Sequence, residues 1–516
     1  PTPSAASSAS SPPPLTSARA SPAIMRAMVL IDDSELLRDR GYIDGAWAAA
    51  DSGATFPVHD PATGEVLAEV PRMAAAETRR AIEAAAAALP AWRARPARER
   101  AAYLRGFADL MLRHRRDLAM IMTREQGKPL AEADAEIGYA ASFLEWMGEE
   151  AKRVYGDTIP APQTDTRIVV LKQPVGVCGG ITPWNFPSAM ITRKAAPALA
   201  AGNTIVCKPA EQTPLSALAL AELADRVGIP AGVFQIVTGD AEDAPAIGGE
   251  LTGNPLVRKI GFTGSTAVGK ILMAQCAGQV KKLSLELGGN APFLIFDDAD
   301  LDKAVAGAIL CKFRNAGQVC IAANRLLVQD GIHDAFVERY SQAISALRVG
   351  AGTDEGVDVG PLIDRQGLEK VVAHVQDARA KGAEILLGGG PHARGGLFFE
   401  PTLLTGVTDE MVMSQDETFG PVAGIRRFGD EEEGIRLAND TPYGLAAYFY
   451  SRDIGRVWRV GEGLDFGIVG INTGFVSTEV APFGGMKESG FGREGSKYGI
   501  EDWLEIKYLA LGGIER

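Results

Sequence analysis

Cysteine is scarce in this 516-residue sequence: there are five, at positions 178, 207, 276, 311 and 320, odd in number, widely spaced and without a C-x-x-C pair. Such a pattern offers neither a disulfide framework nor the ligand spacing of a zinc site, and it fits a reducing, cytoplasmic setting. No metal centre is expected. The five histidines (59, 114, 333, 374 and 392) are equally scattered, and none adjoins Cys320, which weakens a Cys-His hydrolase. Positive charge is in deficit: 52 Lys plus Arg against 65 Asp plus Glu give a net charge of −13. A nucleic-acid surface, which needs clustered cations, is disfavoured, and small-molecule partners fit better. The longest uncharged stretch, Gln173 to Thr192, has the length of a membrane span but contains Pro174, Pro183, Pro187, three glycines and Asn185. A bilayer helix tolerates that poorly, so no membrane partner is expected. Internal repeats and coiled-coil heptads are also missing.

What is present is the composition of an ordinary globular protein, 46% hydrophobic and 23% charged, long enough for two or three domains. Residues 1–28 are Ser/Ala/Pro-rich and free of acids, and read as a disordered or non-native extension rather than a transit peptide. From Gly41, short strands broken by Asp60-Pro61 and Thr63-Gly64 give way to Ala/Leu-rich helices over residues 74–89, 97–113 and 118–125, punctuated by Pro90, Pro96 and Gly127-Lys128-Pro129. After Lys172 apolar runs alternate with helices: 175–182 then 189–201, 204–208 then 214–227, 234–238, and 259–263 then 266–276. That alternation predicts parallel β-α-β units and a Rossmann-like dinucleotide-binding domain, with ligands at the carboxyl edge of its sheet. A second α/β stretch begins near Ala291, so a boundary is expected near Gly288-Gly289.

Cys320 closes the run Phe313-Arg314-Asn315-Ala316-Gly317-Gln318-Val319-Cys320, and Glu286 opens Glu286-Leu287-Gly288-Gly289-Asn290 a short distance upstream. A thiol and a carboxylate are candidates for nucleophile and base. In Gly261-Phe262-Thr263-Gly264-Ser265-Thr266-Ala267-Val268-Gly269, a strand pattern precedes and a helix pattern follows, which suits a phosphate at a helix N-terminus. The glycine spacing fits neither G-x-G-x-x-G nor a P-loop, and many such turns bind nothing. Lys208 and Glu211 end a strand-like run, placed either to meet ribose hydroxyls or to form a surface ion pair. Pro183 and Pro187 bracket Trp184-Asn185-Phe186, so Asn185 is either a preorganised oxyanion donor or a turn cap.

Taken in order, Pro183–Pro187, Lys208–Glu211, Gly261–Gly269, Glu286–Gly289, Asn315–Cys320, Glu417–Pro421 and Pro482–Gly485 resemble the aldehyde dehydrogenase superfamily. Ile191–Lys194, Lys312–Asn315 and Gly490–Gly499 look most like its succinate-semialdehyde dehydrogenase branch. The resemblance runs from about Gly41 to the C-terminus. It implies a cofactor-binding domain from residues 36–160 and 173–286, a catalytic domain over 287–475, and small β extensions at 161–172 and 500–516 that build a homodimer or homotetramer. It implies Cys320 as nucleophile, Asn185 as oxyanion donor and Glu286 as the base that activates hydrolytic water. Trp184, Lys208, Glu211, Gly264, Ser265, Leu287, Glu417 and Phe419 would bind the dinucleotide. A carboxylate at Glu211 accepts from a free 2′-hydroxyl and repels a 2′-phosphate, so NAD is expected over NADP.

Arg193 and Arg314, with Ser477 by resemblance, would anchor the far carboxylate of the aldehyde, since guanidinium pairs suit bidentate recognition. The alternative for each arginine is a structural ion pair. Glutarate semialdehyde or another ω-carboxy aldehyde is the competing substrate. Some relatives carry a second cysteine two positions after the nucleophile; Ala322 stands there, so no disulfide switch is expected in this loop. Cys178, Cys207, Cys276 and Cys311 read as core. A cysteine hydrolase would have no use for Lys208, Gly264 and Glu417, and a catalytically silent relative would often have lost the nucleophile or the base, both of which are present.

Overall fold

Five short apolar runs build the first sheet of the protein, whose computed structural model describes residues 31–514. The extension expected over residues 1–28, and the last two residues of the expected C-terminal β segment, lie outside the described residues. Strands β1 (Val177–Ile181), β2 (Thr204–Lys208), β3 (Phe234–Ile236), β4 (Val257–Thr263) and β5 (Lys282–Glu286) pair in parallel in the order 3-2-1-4-5. Most side chains of β1 to β4 are buried, as helices on both faces require. An antiparallel hairpin (Gly41–Ile43, Ala46–Ala48) extends the β3 edge, and Gly490–Phe491 extends the β5 edge. The order reverses at β1, so the loops leaving β1 and β4 flank a crevice at the carboxyl edge, where sheets of this kind bind nucleotides.

A second sheet contains β6 (Ala291–Ile295), β7 (Ala323–Gln329), β8 (Thr402–Thr405), β9 (Val422–Phe428), β10 (Ala446–Tyr450) and β11 (Ile468–Ile471) in the order 8-9-7-6-10-11, all parallel. Glu384–Leu387 lies antiparallel outside β8. Only Leu287–Asn290 separate β5 from β6, so the carboxyl edge of the first sheet is tied directly to the amino edge of the second. Cys320 precedes β7, the neighbour of β6, and therefore stands at this seam. A third sheet pairs Arg167–Pro174 with Asp157–Ile159 on one side and, over eight residues, with Leu504–Leu511 on the other.

Four helices frame the seam: α1 (Leu130–Glu150), α2 (Ala189–Ala201), α3 (Thr266–Ala277) and α4 (Arg365–Ala380). No helix among the described residues is long and apolar enough to cross a membrane.

Two local expectations change. Pro90 does not end its helix, which runs from Ala75 to Arg93; it forfeits only its own bond to the carbonyl four residues back, and the Ala94 N–H still donates to the Pro90 carbonyl at 3.2 Å. Helix α1, with 21 residues, is not evident in the sequence pattern because its inward face carries Glu132 and Glu136 among apolar neighbours, which blunts the helical period. Those acids have partners. Glu136 Oε1 accepts from the N–H groups of Ser188 (3.0 Å) and Ala189 (3.1 Å) at the start of α2. Its other oxygen pairs with Lys128, and both side chains are 1% exposed. Lys128 Nζ also donates to the Asn185 carbonyl at 2.7 Å.

Glu136→Ala leaves a buried ammonium unpaired and should destabilise by about 3–5 kcal/mol, whereas adding Lys128→Met should recover much of the loss. Thermal unfolding of the two variants checks this: equal midpoints would remove Lys128 from the account.

Candidate active site

The loop that carries Cys320 is shaped by backbone strain. After the helix Leu301–Phe313, residues Asn315, Ala316 and Gly317 take positive φ values of 50°, 54° and 74°. A Cβ on Gly317 would collide with the Gly420 carbonyl, which makes glycine obligatory there. Side-chain amides brace the turn. Asn315 Nδ2 donates to the carbonyls of Asn185 (3.0 Å) and Gln318 (3.3 Å), and Gln318 Nε2 returns a bond to the Asn315 carbonyl (3.1 Å). Gln318 Oε1 accepts from the Ile363 N–H at 2.9 Å, and Glu132 accepts from the Asn315 N–H at 2.8 Å. Cys320 emerges half-buried, and its own N–H has no acceptor among the described residues. The Asn185 amide donates one hydrogen to the Gln318 carbonyl at 3.0 Å, leaving the second for another acceptor. A Cβ on Gly289 would overlap the Cys320 carbonyl, so the β5–β6 link is pressed against the thiol loop.

Glu286 ends β5. It is 3% exposed, and neither carboxylate oxygen has a hydrogen-bond partner. Burial raises its proton affinity well above that of an ordinary carboxylate, Glu494 adds to the rise, and Arg193, Lys194 and Arg493 oppose it. Glu494 in turn is bound by Arg193 Nε (2.6 Å) and Lys194 Nζ (2.9 Å), cations that hold its carboxyl below the usual range against the effect of burial. A Cβ on Gly484 would come within 2.9 Å of Glu286 Oε1, so the Pro482–Gly485 run walls the carboxylate.

Between the two sheets lies a cleft of about 380 Å³ with Cys320 on its wall. Trp184, Asn185, Gly264, Ser265, Leu287, Glu417 and Phe419, all singled out from sequence, line it with Cys320. Trp184 and Phe419 meet edge to face, with ring centroids 5.5 Å apart. Glu417 accepts from the Gly289 N–H at 3.3 Å; burial pushes its carboxyl up to about 7, against the pull of Lys370.

The cleft fits a dinucleotide. At Gly264 a Cβ would strike the Phe262 ring, which leaves bare backbone at the start of α3, and Ser265 Oγ caps that helix by accepting from the Val268 N–H at 3.3 Å. A helix N-terminus reached over glycine is a ready phosphate site. Gln212 Oε1 is buried without a hydrogen-bond partner, an acceptor free for a ligand donor. Glu211 faces an adjoining hollow of about 640 Å³ that shares Gln212, Ile363 and Asp364 with the cleft, and Lys208 Nζ pairs with Glu211 at 3.1 Å.

Arg193, Arg314, Ser477 and Glu286 do not line the cleft itself. Arg193, 2% exposed, pairs through Nε with Glu494 and lies over the Phe483 ring at 4.0 Å, while its Nη2 has no partner. Arg314 is held between the rings of Phe186 (5.4 Å) and Phe475 (5.1 Å). Ser477 is half-buried in the Phe475 loop. Sequence reasoning missed Lys370 and Gln366, which α4 delivers to the cleft, and Gln318, the brace of the thiol loop. A lone lysine on an amphipathic helix carries no local signal. The Gly490–Gly499 run was noticed, but nothing in it separates Glu494 from a surface acid.

Burial pushes the Cys320 thiol up to about 12, with Glu417 next and Glu286 adding to it. In dinucleotide-free protein, alkylation of Cys320 by iodoacetamide should therefore climb roughly tenfold per pH unit from about pH 7 to about pH 10. Glu417→Gln, which removes a charge opposing the thiolate, should speed it at fixed pH. A rate that levels off near neutrality would contradict this electrostatic picture.

Residues 47–509 match the aldehyde dehydrogenase family. The chain is 64% identical over 484 residues to the glutarate-semialdehyde dehydrogenase of Pseudomonas aeruginosa (94% of this chain, 100% of the relative). It is 62% identical over 482 residues to succinate-semialdehyde dehydrogenase [NADP(+)] GabD of Escherichia coli (93% and 99%). A crystal structure of an E. coli NADP-dependent enzyme superposes with a TM-score of 0.92 at 62% identity, covering 93% of this chain and all of that one. With the ordered motifs, the paired sheets and the thiol cleft, these likenesses show that the chain belongs to the aldehyde dehydrogenase family, as an NAD(P)-dependent oxidoreductase.

Proposed function

We propose that the chain oxidises succinate semialdehyde to succinate and prefers NAD to NADP. The substrate reading rests on Arg314: its guanidinium is held between two aromatic rings and has no hydrogen-bond or ion-pair partner among the described residues, a cation left for an anionic ligand. The unpaired Nη2 of Arg193 and the Ser477 hydroxyl would complete the anchor.

In this reading Cys320, as thiolate, attacks the aldehyde carbon, and the new oxyanion accepts from the Asn185 amide and the Cys320 N–H. A dinucleotide held in the cleft would supply the hydride acceptor needed to take the thiohemiacetal to a thioester. Lys208 and Glu211 would hold its adenosine ribose, Gly264 and Ser265 its pyrophosphate, and Trp184, Leu287, Glu417 and Phe419 its nicotinamide end. Glu286 then takes a proton from the water that opens the thioester, releasing the acid and returning Cys320 as the thiolate with which the cycle began. Its two unpaired oxygens and raised proton affinity support that role.

Glutarate semialdehyde is the second reading, supported by the Pseudomonas aeruginosa relative. One methylene changes transition-state binding by only about 1–3 kcal/mol, so a graded aldehyde series is needed to rank the two. The family supports a homodimer or homotetramer through the third sheet, whose strand Leu504–Leu511 exposes Ile506 and Tyr508 by 70% and 60%. Five free thiols support a reducing cytoplasm.

Arg314→Ala should raise KM for succinate semialdehyde far more than for propanal; equal effects on both would remove the anchor. Cofactor choice is tested separately. Glu211 shares its hollow with Asp240, Glu242 and Arg365; Lys208 pairs with Glu211 (3.1 Å), and the nearby Arg72 is occupied by Asp240 and Asp243 (both 3.1 Å) and Glu242 (3.0 Å), so the NAD preference rests on the Glu211 carboxylate, with the acids of the hollow outnumbering its one arginine. The kcat/KM ratio should favour NAD, and Glu211→Ser should shift it towards NADP by about tenfold or more. A parent enzyme with higher kcat/KM on NADP would overturn the preference.

A further inference from the structure

Helix α1 presents one inward face at the spacing i, i+4, i+7, i+11: Glu132, Glu136, Tyr139 and Phe143. Three of the four meet the catalytic centre through identified contacts. Glu132 receives the Asn315 N–H next to Arg314, and Glu136 receives the first N–H groups of α2 and pairs with Lys128 beneath Asn185. Phe143 lies under the Arg193 guanidinium at 5.6 Å and would touch a Cβ on Gly495, beside Glu494. The exception is the Tyr139 hydroxyl. Its ring packs edge-on against Phe143, with centroids 5.1 Å apart, and its oxygen is buried without any hydrogen-bond partner. Ser142 ties this turn of α1 to the loop that carries Ser477: its Oγ, with one hydrogen to donate, lies 2.8 Å from the Tyr139 carbonyl and 3.2 Å from Glu479 Oε2.

Two unsatisfied donors therefore belong to one neighbourhood: the Tyr139 O–H and the Arg193 Nη2, bridged by the Phe143 ring that both contact. Burying a hydroxyl with nothing to bond lowers stability, and proteins retain such groups where a ligand completes them. Burial pushes the Tyr139 hydroxyl up, while its titration responds to Arg193, Glu494, Arg314 and Cys320. It therefore remains an O–H donor at neutral pH, within electrostatic reach of the thiol and of both arginines.

We propose that Tyr139 is a further substrate-binding residue, whose hydroxyl donates to the far carboxylate of the aldehyde beside Arg314 and Arg193. This rests on the ω-carboxy aldehyde reading above, and it adds a second neutral donor to a subsite otherwise built from the Arg314 and Arg193 guanidinium groups and the Ser477 hydroxyl. Such a donor is directional, and it fixes where the anionic end of the substrate stops.

Tyr139→Phe removes one oxygen and keeps the ring. Its kcat/KM for succinate semialdehyde should fall about tenfold or more, carried by KM, because a hydrogen bond to a charged group is lost. For propanal, which has no far carboxylate, kcat/KM should stay within about twofold, and product inhibition by succinate should weaken in proportion to the KM rise. The thermal midpoint of the ligand-free protein should not drop, since the hydroxyl has no internal partner to lose. Equal losses with both aldehydes would assign Tyr139 a structural role and overturn the proposal, as would no loss with either. Arg314→Ala assayed alongside keeps the two claims apart: discrimination by that variant but not by Tyr139→Phe defeats only the tyrosine's role, and no discrimination by Arg314→Ala defeats the carboxylate reading itself.

Discussion

Three consecutive residues at positive φ, Asn315 to Gly317, are the constraint on which the centre of this molecule depends. Left-handed backbone costs about 1–2 kcal/mol for each residue with a Cβ, so the turn persists only because its surroundings over-determine it. The bonds that do so come from different parts of the chain: Asn185 from the loop after β1, Glu132 from α1, and Ile363 from the approach to α4. Each contributes about 1 kcal/mol net, more where a carboxylate accepts, which is enough to offset the strain. The same bonds that stabilise the turn also set the position of Cys320 against Asn185. Strain and preorganisation are one feature here.

Around that turn the interior is unusually rich in charge. Lys128 with Glu136, and Arg193 and Lys194 with Glu494, are buried pairs that are removed from water at a cost their attraction only roughly offsets. Their value is positional. Lys128 holds the Asn185 carbonyl, Glu136 the start of α2, and Glu494 the two cations that oppose the rise in Glu286's proton affinity. Glu286 differs from all of them because it is buried and yet makes no hydrogen bond, so its proton affinity is set by burial and by distant charge. A carboxylate kept in that condition is free to accept a proton from water, whereas a paired one would already be spoken for.

Much of this was legible in one dimension. Alternating apolar runs and helices between Val175 and Cys276 become the strands and helices of the first sheet with shifts of a few residues, because buried parallel strands need continuous β-prone runs and little else. Helix α1 was not legible, since a helix whose inward face binds charge lacks the apolar period on which such reading relies. Arg193 shows a different limit: the sequence offered a substrate anchor or a structural ion pair, and the folded chain gives one guanidinium an ion pair on Nε and an open donor on Nη2. Residues 47–509 carry the family match, and the order of the short motifs within them already implied it.

By itself, then, the sequence determined the family and the α/β architecture and pointed to one thiol and one carboxylate, because those properties reside in local composition and in motif order. Only the tertiary structure decided which side chains share the seam between the two sheets: Lys370 and Gln366 from α4, Tyr139 from α1 and Glu494 from near the C-terminus. The physical reason is that burial, unpaired donors and the sign of nearby charge are properties of distance in space, and residues hundreds of positions apart acquire them only when two sheet edges are brought face to face.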